Sequence, residues 1–167
     1  MASGCASDLP SYEATEAAKI EFIFKPKGTK FEVLGRVIDT RGDLVDSVQL
    51  AVGVGQGAVP FTNRSCEPRV KGNGATDTRD LCTGLKGEVT LFRTDAGLYA
   101  FGEIEYDRLL RRELVRTGNA EIFLPKVQHV QTGFSGSVSA AGGQIVAHEW
   151  GDCSKTSSLT CVRRQRD

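Results

Sequence analysis

Leu98-Tyr99-Ala100-Phe101-Gly102-Glu103-Ile104-Glu105-Tyr106-Asp107 is the stretch on which the fold turns. Leu98, Ala100, Gly102, Ile104 and Tyr106 fall on one side of an extended chain, while Glu103, Glu105 and Asp107 fall on the other. Alternation with period two is the mark of a strand with one buried and one wet face. Upstream, Val89 and Leu91 lead into the turn Thr94-Asp95-Ala96-Gly97. Downstream the signal is mixed. Tyr106, Leu109, Leu110 and Leu114 fit helical spacing, yet Leu110, Arg112, Leu114 and Arg116 fit a strand. Continued extended structure with an irregularity near Arg111-Arg112 is the reading adopted.

The same pattern recurs on both sides. Ile20, Phe22 and Phe24 alternate with Glu21, Ile23 and Lys25 until Pro26-Lys27-Gly28. Phe31, Val33 and Val37 form a second run, and Asp39-Thr40-Arg41-Gly42-Asp43 turns into a third carrying Val48, Leu50, Val52 and Val54. A stretch from Glu121 to Val130 reads as extended but broken at Pro125. Phe134, Gly136 and Val138 alternate next, then Ala141-Gly142-Gly143 leads to Gln144–Trp150. Seven to nine short strands with tight turns, and at most one short helix, predict an all-β fold: an antiparallel β-sandwich or a small barrel. The expected organisation is a tether over 1–18, a β domain over 19–152 with a long cysteine-flanked loop at 55–86, and a stapled tail over 153–167. The basic end of that tail, from Val162 to Asp167, is expected to be mobile.

Length and charge narrow the function. The chain has 167 residues, enough for one domain with a real core, and 21 Lys+Arg against 21 Asp+Glu leave zero formal charge. A nucleic-acid binder needs surplus cations to displace counterions from phosphates, so none is expected as partner. No apolar run is long enough for a helix to cross a bilayer.

Five cysteines sort by position into one plus two plus two. Cys66 and Cys82 flank a polar, glycine-containing stretch, and Cys153 and Cys161 flank a Ser/Thr/Lys segment. Four cysteines permit three connectivities. Cys66–Cys82 with Cys153–Cys161 is preferred, because each bridge closes a segment whose composition favours no regular structure. The competing readings are a metal site, against which the spacings lack a CxxC knuckle, and reduced thiols in a cytosolic protein.

Ala2-Ser3-Gly4-Cys5-Ala6-Ser7 resembles the end of a bacterial lipobox, in which small residues precede the acylated cysteine. The resemblance implies lipidation at Cys5, a polar tether behind it, and a periplasmic protein anchored to the outer membrane. The charged and apolar parts of a signal peptide are missing from the sequence. A native Met1 would instead place the chain in the cytoplasm or in a particle. The segment Glu88–Gly151, with Ile122-Phe123-Leu124-Pro125 and Gly142-Gly143-Gln144-Ile145-Val146, is also similar in outline to the closing module of secretins. That similarity implies a self-assembling pore or particle component, although the cysteine loop is foreign to such modules.

Candidate chemistry is sparse. His148-Glu149-Trp150-Gly151-Asp152 is the densest cluster, but neighbouring strand residues face opposite ways, so a structural histidine beside a tryptophan is the preferred reading. His129 has no nucleophile near it in sequence. Glu103, Glu105 and Asp107 share a face and read as a solvated row rather than an acid/base pair. Arg41-Gly42-Asp43 reads as a turn, and Asn63-Arg64-Ser65 is a glycosylation sequon relevant only to a eukaryotic secretory route. Gly53-Val54-Gly55-Gln56-Gly57 lacks the ending of a phosphate loop. No enzyme, cofactor or metal is expected. The expected function is a periplasmic lipoprotein that binds another protein, either neutralising an effector or enzyme or serving an envelope or secretion machine. A β-barrel carrier of an apolar ligand is the other alternative. The expected surface is Arg64, Arg69, Lys71, Asp77 and Arg79 in the cysteine-flanked loop, with Trp150 as aromatic anchor.

Overall fold

A computed structural model describes residues 13–67, 81–155 and 161–163. Its described residues contain no helix and nine strands: β1 (Ala17–Lys27), β2 (Lys30–Asp39), β3 (Leu44–Gly53), β4 (Val59–Thr62), β5 (Ser65–Glu67), β6 (Leu81–Thr94), β7 (Gly97–Thr117), β8 (Ala120–Val138) and β9 (Gly143–Glu149). They form two antiparallel sheets, one in the order β3-β2-β1-β9 and the other in the order β4-β6-β7-β8, with β5 pairing β6 at its far end. The fold is a β-sandwich; the small barrel is set aside, because the sheets do not close into one.

Each sheet turns its apolar face inward. Phe22 from β1 stacks on Phe134 of β8, with ring centroids 4.8 Å apart, and meets Phe61 of β4 edge-on at 5.6 Å. Gly35 makes room for that ring, since a side chain there would come within 2.8 Å of it. The alternation in 98–106 holds throughout: Leu98, Ala100, Ile104 and Tyr106 are buried, as is Gly102. Tyr106 donates a hydrogen bond of 2.8 Å to the Asp46 carboxylate, and burial together with that carboxylate raises its phenol well above the ordinary value. The two sheets are tied at opposite corners. Val54, just past β3, makes a parallel bridge with Leu91, while the Gln128 side chain on β8 bonds both backbone groups of Ala17 on β1.

The Arg41-Gly42-Asp43 tripeptide is a hairpin turn, as read. Gly42 adopts φ +89°, and the Asp39 carboxylate accepts hydrogen bonds from the Arg41 and Asp43 amides and from the Thr15 hydroxyl. Burial works to raise this carboxyl, but those bonds and the nearby Arg108 charge outweigh it and hold Asp39 below its ordinary 3.8. A lowered folded value gives stability that is present above the ordinary value and lost as pH falls through the folded one. Urea titrations at falling pH should therefore show an acid limb below about pH 4. Asp39→Asn should flatten that limb and cost about 1–2 kcal/mol at neutral pH.

Four expectations about extent change. The stretch 55–86 is not one loop, since β4, β5 and the start of β6 lie within it. Four- and three-residue strands are too short to show a period, so only their pairing with β6 defines them. Pro125 does not break β8, because β8 is an edge strand and a missing N–H is tolerated on its open side. Nor is the tail free throughout. Val162 bridges Asp152 and is buried in the core, so the chain beyond the second cysteine pair returns to the sandwich at that point. At the other end, Glu13 already bridges Arg111, ahead of the expected domain start.

Candidate functional site

Beyond Asp107, β7 loses its pairing with β6 and continues with β8, while Glu13 bridges Arg111 on its other edge. The result is a two-stranded arm, Arg108–Thr117 against Ala120–Gln128, closed by Gly118-Asn119. Gly118 takes φ +61° while Asn119 stays negative, which suits a two-residue turn with glycine first. The register shifts between Leu109 and Arg111, the irregularity expected there, and the bulge leaves the Leu110 carbonyl to accept from the Ala14 amide at 2.8 Å. The arm carries large apolar side chains that stand exposed: Leu114 is 44% exposed and Leu124 49%.

The acidic row lies on the outer face of the same sheet, as its alternation requires. Arg64, between β4 and β5, reaches over it. Its guanidinium sits 2.9 Å from Asp107 and 3.5 Å from Glu105, and it donates to the Cys82 carbonyl at 3.1 Å. Lys86 lies 3.4 Å from Glu105, and His129 Nδ1 lies 2.6 Å from Asp107. Cross-strand pairing explains the gathering: Lys86 is opposite Glu105, and Asp107 is opposite His129. Glu105, Asp107 and His129 could each present a ligand atom within 4.8 Å of the others. The Arg64 guanidinium already neutralises both carboxylates, so a metal ion would have to displace a cation held by two ion pairs. The cluster is therefore best read as a brace joining the β4–β5 link to the root of the arm.

Glu88 and Glu103 present a different situation. They are direct cross-strand partners, both exposed, and neither has an ion-pair partner among the described residues. Like charges placed opposite one another are unfavourable. A groove of about 630 Å³ passes between their row, Pro60-Glu88-Glu103-Gly133, and the row Thr62-Lys86-Glu105-Gln131. Phe101 adjoins it on the same face, 45% exposed, edge-on to Phe92 at 5.5 Å.

Both expected disulfides are present. Cys66–Cys82 joins directly opposed residues of β5 and β6, and Cys153–Cys161 closes the segment behind β9. Arg112 on the arm pairs with Glu67, next to the first bridge. Replacing Cys66 and Cys82 together with serine should lower stability by about 3 kcal/mol in the chain-entropy account. Denaturant midpoints of the oxidised protein and the variant would measure it.

Two of the expected partner-binding residues are corrected. Trp150 is only 4% exposed and packs edge-on against His148 at 4.5 Å, so it cannot anchor a partner. The Trp150 amide bonds the Ala18 carbonyl, which carries the ring over the end of the core. His148 is the structural histidine expected, its imidazole pushed below the ordinary value by burial. Arg64 is 15% exposed and committed to the brace. Arg69, Lys71, Asp77, Arg79 and Cys5 lie outside the described residues. Sequence reading missed the arm as an element, although Thr117-Gly118-Asn119-Ala120 is a recognisable hairpin signal. Comparison with protein-family models, curated proteins and solved structures finds no match for this chain.

Proposed function

We propose that this protein is an extracytoplasmic protein-binding module, held at the outer membrane through acylated Cys5, that engages its partner with the β7–β8 arm. The observation that carries the reading is the arm itself. A ribbon reaching past the sandwich, with Leu114 and Leu124 in solvent, supplies no buried core residue among those described. Its root is fastened by the Arg64 brace, the Glu67–Arg112 pair and the neighbouring Cys66–Cys82 bridge. Holding an exposed apolar element rigid lowers the entropy lost on binding. Two disulfides favour an oxidising compartment, in keeping with the lipobox-like segment. Neutralising an effector or enzyme and serving an envelope machine both fit this architecture.

A photo-crosslinking amino acid placed at Leu124, in cells that make the protein, tests the reading. A discrete protein adduct should form there and be absent when the probe stands at Leu44, which is equally exposed but belongs to the other sheet. Equal labelling at both positions, or none at Leu124, would contradict it.

A further inference from the structure

From the place where the chain enters the domain, we infer that the arm is turned toward the membrane and that its partner is a protein embedded in that membrane. This rests on the arm being the binding element and on acylated Cys5, and it adds where the contact is made and with what class of protein.

Glu13 bridges Arg111, so the chain enters the domain level with the root of the arm. The bridge is antiparallel and the Ala14 amide bonds the Leu110 carbonyl, so the chain direction at Glu13, followed upstream, points along β7 toward the tip. The entry is held to both sheets. Arg108 Nε donates to the Thr15 carbonyl at 2.6 Å, and the Thr40 amide donates to the Glu16 carbonyl at 2.9 Å. The length upstream of Glu13 therefore sets how far the domain can stand from its anchor.

A chain spans at most about 3.6 Å per residue, so the eight residues from Cys5 up to Glu13 reach about 29 Å. Seven residues separate Arg111 from Gly118 at the tip, about 23 Å of strand. Fourteen separate Arg111 from Gly97 at the far turn, about 46 Å. The tether thus reaches the level of the tip and falls short of the far turn. Acyl chains hold Cys5 at the bilayer surface, so the domain cannot stand on its Gly97 end, and the arm lies on the membrane side.

The arm is not built to lie in lipid. Elements that do so gather apolar residues on one face and cations on the other. Leu114 and Leu124 fall on opposite faces of the ribbon, because Leu124 pairs with Glu113, the neighbour of Leu114. Arg111 is paired with Glu113 and Arg112 with Glu67, so two of its cations are already matched within the chain. A ribbon with an apolar residue on each face suits a cleft between protein surfaces. Two leucines bury little area, and so small a contact is weak between freely diffusing proteins. Anchoring both proteins in one membrane raises their effective concentration and makes it sufficient.

Two measurements on the acylated protein test the inference. In vesicles with an acceptor dye on the lipid headgroups, a donor placed at Asn119 in the tip should transfer energy strongly. A donor at Asp95 in the far turn should lose most of that transfer. Both positions are exposed, and thermal unfolding checks that the labelled chains keep their fold. Equal transfer from the two, or stronger transfer from Asp95, would overturn the inference and leave the binding-module reading standing. In cells, the adduct formed from Leu124, identified by peptide mass spectrometry, should be with a membrane-spanning protein. A Cys5→Ala chain exported on a cleavable signal should form that adduct at least about tenfold less. An adduct with a soluble protein, with lipid or with a second copy of this chain, or one indifferent to Cys5→Ala, would overturn the assignment of the partner. An unacylated Cys5, or no adduct at all, would overturn the binding-module reading and the inference with it.

Discussion

Alanine at Gly102 is expected to destabilise the protein by about 3 kcal/mol or more, at the upper end of overpacking costs. A Cβ there would lie 2.1 Å from the Glu88 carbonyl oxygen and 2.9 Å from the Phe134 ring. The first contact is with backbone, which no rotamer change relieves. Either β6 and β7 separate and lose ladder bonds, or the Phe22–Phe134 stack is disturbed. Gly87 makes the same demand, with 2.0 Å from its added Cβ to the Glu103 carbonyl oxygen. Gly133→Ala is the control: its Cβ would meet only the Gly102 carbonyl oxygen at 3.5 Å, an ordinary contact, so a change within about 0.5 kcal/mol is expected. Urea midpoints of the three variants would rank the positions. Equal effects at Gly102 and Gly133 would refute the close-approach argument.

Removing the Arg64 side chain is the second large effect. Arg64→Ala leaves Asp107 and Glu105 facing one another without the guanidinium that separates them, and the Cys82 carbonyl without its donor. Breaking one side of a fully buried pair costs about 3–5 kcal/mol. Partial solvent access and the remaining Lys86 and His129 contacts reduce this to about 2–3 kcal/mol. Arg64→Lys should recover only part of the loss, since an ammonium cannot reach two carboxylates and a carbonyl in one plane. Chemical denaturation measures the loss, and hydrogen exchange should show it concentrated at the root of the arm. Uniform loosening of both sheets would mean that the cluster does not brace the arm.

What could be read in advance follows from the range of the forces involved. The faces of β7 from Leu98 to Tyr106 were legible because burial on one side writes itself into alternate residues. The Asp39–Asp43 turn was legible because its bonds are local. Alternation sets Trp150 on one face with Val146 and His148, yet Trp150 is buried while Val146 is exposed. The bulge that skips Ala147, between Ile20 opposite His148 and Glu21 opposite Val146, changes how the end of β9 meets β1, and a single sequence does not mark it. The Arg64 brace was illegible for another reason. Its members lie on four separate segments, and nothing local to Asn63-Arg64-Ser65 indicates that the guanidinium will find Asp107. Glu88 and Glu103 likewise become a pair only through the β6–β7 register.

The proposed function requires a protein that lives where thiols oxidise. Intact mass of material purified from cell envelopes, recorded before and after reduction, tests this most directly. The expected result is a chain whose Cys5 carries acyl groups and whose mass rises by four hydrogens on reduction, one pair for each of the two bridges. An unacylated chain whose mass reduction leaves unchanged would contradict it.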